Sequence, residues 1–509
     1  MLTGAVAAAT SSALADAVQQ MDSAAVERLL GEASADDVNV AQVDGMTALL
    51  WSAYHDDLSI ARRLIDAGAD VNAANRYAVT PLALATTNAN VGMVELLLEH
   101  GASPDAFLPG GETILMTAAR TGRVGAVRAL IARGADVHAN EASRGQTALM
   151  WAAAEGHSDV VQVLIAAGAD IHTRLVSGFT PFLFGVRQGH IDVVRTLLAA
   201  GVDVNNRVVA DADTRGRIPG GRPLPIGASP LLVAVWNAHF ELASMLLDAG
   251  ADPNAAGPGY TVLHALTRVR KPGGGDNDPA PDGSGHMTSL EFVQKLAADG
   301  ADLDARMSER RNLNNTRWNY IGSTPFLLAA QTADADYMRL LVALGADPLL
   351  PNEDNSTPLM ASAGLGTRSP GEDAGTESEV LEAVALALEL GNDVNAVDDN
   401  GETAMHGAAY KNLPKVVELL AAHGADIRLW NVQNRYGWTP LTIARGYRFG
   451  NFKPSAATVT SLEGIMRASG IKPPTEEEER AKSVDPYAKG DRSPPSATPQ
   501  PVAPAPPGC

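Results

Sequence analysis

Residues 155–161 read EGHSDVV, which sets His157, Ser158 and Asp159 side by side. These are the side chains of serine hydrolysis: a hydroxyl nucleophile, an imidazole that takes its proton, and a carboxylate that orients the imidazole. A fold brings such groups together from separate elements, whereas three consecutive residues point in different directions. His138 and His172 could ligate zinc, but a shared metal must lie about 2 Å from both nitrogens. KPGGGD at 271–276 is glycine-rich yet lacks the GK[ST] ending of a phosphate-binding loop, and neither HExxH nor GxSxG occurs. The only cysteine is Cys509, which excludes an intramolecular disulfide framework and a thiolate zinc site. The expectation is therefore no catalytic residue, no metal and no cofactor.

The elements that would position these residues are repeated. VLIAAGADIHT at 163–173 returns as RLIDAGADVNA at 63–73, ALIARGADVHA at 129–139, TLLAAGVDVNN at 196–206, MLLDAGADPNA at 245–255 and LLAAHGADIRL at 419–429. A second phrase, of the type TPLALAT, starts at Thr47, Thr80, Thr113, Thr147, Thr180, Ser229, Thr261, Thr324, Thr357, Thr403 and Thr439. The first four intervals are 33, 33, 34 and 33 residues. Threonine or serine is a helix N-cap, and the proline that often follows, as at Pro81 and Pro181, suits the first helical position. A short helix, a turn and a second apolar-periodic helix follow. Gly168 and its equivalents close that second helix in the left-handed conformation. EGHSDVV is then the link between the two helices of one unit.

The 33-residue period with its T-P-L-H-x-A phrase resembles the ankyrin repeat over roughly residues 13–471. The resemblance implies an all-α repeat solenoid of about twelve stacked helix-turn-helix units joined by hairpin tips, since one unit alone cannot bury its apolar face. Residues 13–40 are expected to be the N-terminal cap repeat, 41–436 the central repeats and 437–471 the C-terminal cap. Residues 1–12 are either a frayed end or a signal-peptide remnant. The proline-rich segment 472–509 is expected to be disordered. His264 and His406 fill the histidine slot of the phrase, which the resemblance makes a structural hydrogen-bonder between repeats. Longer intervals place insertions near 206–227, 270–287, 306–322 and 364–378.

The formal charge is −20, which disfavours nucleic acid, because that binding rests on Lys and Arg neutralising phosphates. Nine of the acids share one repeat position: Asp70, Asp136, Asp170, Asp203, Asp252, Asp302, Asp347, Asp393 and Asp426. No apolar run is long enough for membrane insertion.

Ankyrin arrays grip proteins on a concave face made of first helices and hairpin tips, so the resemblance implies a non-catalytic protein-interaction scaffold, here a monomer with a protein partner. Counted in register, the helix-end slots hold Tyr54, Arg120, Arg187, Trp236, Arg268 and Tyr410. The tip slots hold Arg76, Tyr77, Arg144, Phe179, Tyr260, Tyr320, Tyr436 and Trp438. Tyr, Trp and Arg are the residues that most often carry interface energy, and aromatics are only 5% of this chain. The alternatives are an enzyme or ligand binder built on the insertions, or an accessory array of a larger protein with a missing C-terminal domain. The chain also looks like bacterial, often exported, ankyrin proteins, which implies a periplasmic or secreted setting, with the cytoplasm as the alternative.

Overall fold

The structure is a computed structural model that describes residues 12–108, 110–209, 226–273, 280–309, 318–448 and 454–482. The expectations for residues 1–11, for 483–509 and for the centres of the insertions near 206–227, 270–287 and 306–322 fall outside the described residues. The chain divides into two units, residues 1–226 and 227–509.

Unit 1 holds six helix pairs: Ala13–Gln19 with Ser23–Glu32, Ala48–Tyr54 with Leu58–Asp66, Pro81–Thr87 with Val91–Glu99, Ile114–Thr121 with Val124–Ala132, Ala148–Glu155 with Ser158–Ala166, and Pro181–Gln188 with Ile191–Ala199. Unit 2 holds six more: Pro230–Trp236 with Phe240–Asp248, Val262–Arg270 with Ser289–Ala298, Pro325–Gln331 with Ala335–Leu344, Pro358–Ser362 with Glu377–Glu389, Ala404–Lys411 with Pro414–Ala422, and Pro440–Ala444 with Ala456–Ala468. Among the described residues there is no strand, only isolated bridges such as Phe107 with Thr113. This is an all-α ankyrin-repeat fold.

Most of these helices are too short to persist alone in water; stacking stabilises them. Within unit 1 the first helices pack in series from Ala48–Tyr54 to Pro181–Gln188. In five second helices of unit 1 one leucine, Leu64, Leu97, Leu130, Leu164 or Leu197, is fully buried, and in Ser23–Glu32 Val26 is. Truncating such a leucine costs about 2–5 kcal/mol.

Local bonds set the repeat boundaries. Thr80 Oγ1 accepts from the Ala83 amide at 3.2 Å, and Thr47, Thr147 and Thr324 cap their helices in the same way, whereas the Thr261 and Thr403 hydroxyls pair with Nδ1 of His264 and His406. Gly168 ends its helix at φ 92°, a region closed to most side chains. All nine recurring aspartates accept the amide two residues further on, at 2.8 to 3.0 Å. Those nine charges are therefore turn-formers. The asparagine two residues later ties one repeat to the next. Asn72 donates to the Gly101 carbonyl at 3.0 Å and accepts from the Ser103 amide at 2.9 Å. Asn254 and Asn395 repeat that pair of bonds on Gly300 with Asp302, and on Gly424 with Asp426.

Two expectations need correction. The segment after 472 is not disordered throughout. Helix Glu476–Lys482 docks back onto the cap, where buried Glu479 meets Arg445 at 2.7 Å. Arg445 also reaches Glu463 at 2.8 Å, so a carboxylate from each of two helices holds one guanidinium. The tip after Gly424 folds as a short helix, Ile427–Trp430, capped by Asp426.

Candidate functional site

The stretch EGHSDVV is a turn followed by a helix start. His157 is the N-cap residue, Ser158 and Asp159 open the next helix, and Gly156 takes the left-handed conformation. The His157 Nε2 lies 3.0 Å from the Arg120 carbonyl of the preceding repeat, and His190 treats Ala154 in the same way. These imidazoles bridge repeats. His264 does so from the core: its Nε2 meets the Ser323 carbonyl at 3.0 Å and its Nδ1 meets Thr261. Burial pushes His264 and His406 down to about 4, so both stay neutral at physiological pH. Among the described residues no group of three His, Cys, Asp or Glu could hold a metal, and no helix is long and apolar enough to cross a membrane.

In unit 1 most of the slots expected to face a partner make ring contacts, three of them with an arginine over an aromatic ring. Tyr54 is 54% exposed and meets Trp51 edge-on at 5.5 Å, with His55 stacked on the other ring. Tyr77 is 63% exposed, with the Arg76 guanidinium 5.8 Å from its ring centre. Arg120 lies over Trp151 at 6.0 Å and reaches Glu112 at 3.7 Å. Arg187 lies over Phe179 at 5.5 Å. Arg144 is exposed at its tip, where Glu141 Oε1 accepts its amide.

In unit 2, Trp236 and Arg268 are half-buried and Tyr436 is exposed. Five of the expected contact residues are enclosed by the fold: Phe179, Tyr260, Tyr320, Tyr410 and Trp438. They correct the sequence reading, because an aromatic at a tip can fold back on its neighbours. Phe179 lies against Phe184, Tyr260 beside Trp236, and Trp438 stacks under Tyr436.

The expected slots at Tyr410 and Tyr436 converge on a cavity of about 480 Å³ in unit 2. Its polar lining comes from three consecutive tips: Asn319, then Asp354 with Ser356, then Asp398 with Asn400 and Glu402. Tyr410 comes from the adjoining helix, and Arg435 with Tyr436 from the next tip. Trp318 of the 306–322 insertion and Leu365, Gly366 and Thr367 of the 364–378 insertion complete the wall. The strap Gly364–Thr367 can lie flat because the helix beneath carries Gly407. A Cβ there would stand 2.8 Å from the Leu365 amide nitrogen. Arg448 clamps strap and helix together, donating to the carbonyls of Thr367 and Tyr410, both at 2.9 Å.

The cavity's carboxylates are held by uncharged donors. Asp398 accepts from the amides of Asn400 and Glu402 and from Ser356 Oγ. Asp354 accepts from Asn319 Nδ2 at 2.8 Å. Glu402 Oε1 accepts from the Tyr410 hydroxyl and from Asn434 Nδ2, both at 2.6 Å. Burial, reinforced by the Asp398 charge, pushes Glu402 up to about 7 despite those bonds. Sequence reasoning missed Glu402, Asp354, Asp398 and Arg435. The available signal was an acid directly before the capping threonine, which this chain has only at Glu112 and Glu402.

The chain belongs to the ankyrin repeat family. The family profile for ankyrin repeats in three copies matches residues 14–108, 104–175 and 375–451, and the single ankyrin repeat profile matches 177–208 and 226–258. Residues 259–374, outside those spans, still place their caps Thr261, Thr324 and Thr357 at helix starts. The mouse B-cell lymphoma 3 protein homolog is 30% identical over 223 residues, 43% of this chain and 40% of that protein. The human B-cell lymphoma 3 protein is 28% identical over 236 residues, 45% and 42%. Dog inversin is 29% identical over 154 residues, 30% and 13%. The chain thus spans about two fifths of the length of the first two relatives.

Proposed function

We propose that this chain is a non-catalytic scaffold that binds a protein partner through the exposed ends of its first helices and its hairpin tips. The carrying observation is a run of solvent-facing aromatic contacts in unit 1: Tyr54 edge-on to Trp51, Arg76 beside the exposed ring of Tyr77, and half-buried Arg120 over Trp151. A protein gains from such groups because large amphipathic surfaces are desolvated at little entropic cost. Membership of the ankyrin repeat family supports the same use. In unit 2 the corresponding contacts are Trp236, Arg268 and Tyr436.

The test is affinity capture from source extract with the full chain and with a Tyr54→Ala, Tyr77→Ala, Arg120→Ala variant of unchanged thermal stability. The reading expects at least one captured protein to fall by about tenfold or more with the variant, the scale of one hot-spot loss. Equal recovery of every captured protein would remove the unit 1 surface from the proposal.

A further inference from the structure

We infer that the unit 2 cavity is the seat for one basic side chain, an arginine guanidinium or a lysine ammonium, presented by a protein partner. This inference rests on the scaffold reading and adds what the partner must carry.

The first observation is a comparison between equivalent slots. Glu112 and Glu402 each stand directly before a capping threonine, Thr113 and Thr403. Seven residues after that threonine stands Arg120 in one repeat and Tyr410 in the other. In unit 1 the glutamate therefore has its own cation, with Arg120 Nε 3.7 Å from Glu112 Oε1. In unit 2 the same position offers a phenol hydroxyl, which hydrogen-bonds Glu402 but does not neutralise it.

The second observation is an unused acceptor. Glu402 is 7% exposed, and both of its hydrogen bonds fall on Oε1. Oε2 accepts none among the described residues, and the side chain lines the cavity. Oε2 keeps contact with solvent at the cavity wall, where an incoming cation can reach it. A charge-assisted donor at Oε2 would be among the stronger bonds available there.

The neighbouring cations are already engaged. Arg435 lies 4.9 Å from the Tyr436 ring centre and donates to its hydroxyl at 2.7 Å. It makes no ion pair with a described carboxylate within 4 Å. Arg448 points at carbonyls. Facing Glu402 are therefore Asp398 on its own tip, Tyr410 on the adjoining helix, Asp354 across Asn400, and Arg435 on the next tip. The three carboxylates outnumber the one guanidinium of the lining. About 480 Å³ is ample for a long basic side chain and its flanking backbone. A hard metal ion is a poorer fit, because it needs several converging oxygen ligands and no three-carboxylate set within ligating reach exists among the described residues.

Binding must also couple to protonation. A cation at Oε2 favours ionised Glu402, which burial holds at about 7. The ionised fraction rises about tenfold from pH 6 to pH 8, so affinity should rise by about the same factor.

The experiment titrates the full chain, by ligand-observed NMR, with three capped tripeptides: Ac-Gly-Arg-Gly-NH2, Ac-Gly-Lys-Gly-NH2 and Ac-Gly-citrulline-Gly-NH2. Citrulline keeps the arginine shape without its charge. The inference expects arginine or lysine to bind about tenfold or more tighter than citrulline, and more tightly at pH 8 than at pH 6. Glu402→Gln and Asp354→Asn should each weaken the charged peptide severalfold, and Glu402→Gln should also abolish the pH dependence. The ratio of the arginine and lysine arms tells which head group the seat prefers. Equal binding of citrulline, no binding of any peptide, or wild-type affinity in a folded Glu402→Gln chain would overturn the inference. The titration needs no natural partner, so its failure leaves the unit 1 capture experiment to judge the scaffold separately.

Discussion

Among the described residues units 1 and 2 each show six helix pairs, yet some of their charged groups are treated in opposite ways. In unit 1 the spacing stays near 33 residues from Thr47 to Thr180, and the described ion pairs are partly exposed, as with Arg63 on Glu27 at 2.7 Å. In unit 2 some charged pairs are taken out of water. Arg270 and Asp334 make a two-pronged pair at 2.7 and 2.9 Å, with the Asp334 side chain 2% exposed. The difference teaches that one repeat frame can hold charged side chains in solvent at one place and enclose them at another, with the helix pairs intact in both.

The sharpest way to break that comparison is to remove one cation from each unit. Arg270→Ala strands Asp334 in the core and should cost about 3–5 kcal/mol. Arg63→Ala should change stability by less than about 1 kcal/mol. Urea denaturation monitored by circular dichroism measures both, and similar costs would erase the distinction.

Next in size is the contrast between Glu402 and Glu112. Burial raises Glu402 from 4.5 to about 7. Its contribution to stability is therefore present in full below about pH 4.5 and is lost as pH rises through about 7, a loss of roughly 3 kcal/mol. His264 and His406 act in the opposite sense. Lowered from 6.5 to about 4, they support the fold above about 6.5 and withdraw that support as pH falls toward 4. Glu402→Gln should raise the melting temperature at pH 8 and leave it nearly unchanged at pH 4.5. Glu112→Gln should shift it little at either pH. Melting curves across that range decide the matter, and a flat Glu402→Gln difference would show that burial of Glu402 does not govern stability in this range.

The smallest effect concerns the strap. Gly407→Ala pushes a methyl group toward Leu365 and the Met360 carbonyl and should cost about 1–3 kcal/mol. In unit 1 the same slot holds Trp51, Leu84, Thr117, Trp151 and Phe184, because no strap crosses there. A neutral Gly407→Ala, measured by thermal denaturation, would show that the strap yields.

The sequence made the fold readable wherever a feature is decided within about four residues. Thr80 finds its amide at Ala83, Asp70 finds Asn72, and Gly168 turns its own helix end. The inter-helix histidines were readable for a related reason: His157 reaches exactly one repeat back, and the period supplies that neighbour. Exposure was not readable in this way. Tyr77 and Tyr320 occupy similar tip slots, yet Tyr77 stands in solvent and Tyr320 is fully enclosed. The outcome depends on what packs over each tip. Glu402 was missed for the same reason, since its burial is set by side chains from other segments, Tyr410 and Asn434 among them. Glu479 lies in a segment whose composition argues for disorder, yet it is held by two long-range partners, Arg445 and Thr442.

The asparagine bonds between tips run one way along the chain. Asn72 supplies both the donor and the acceptor, while the following repeat contributes only backbone, at Gly101 and Ser103. Cutting the array on either side of such a rung is therefore not symmetrical. Shortening from the carboxyl end leaves an amide side chain that can swing out to water. Shortening from the amino end strips a carbonyl and an N–H that are fixed in place at a helix terminus.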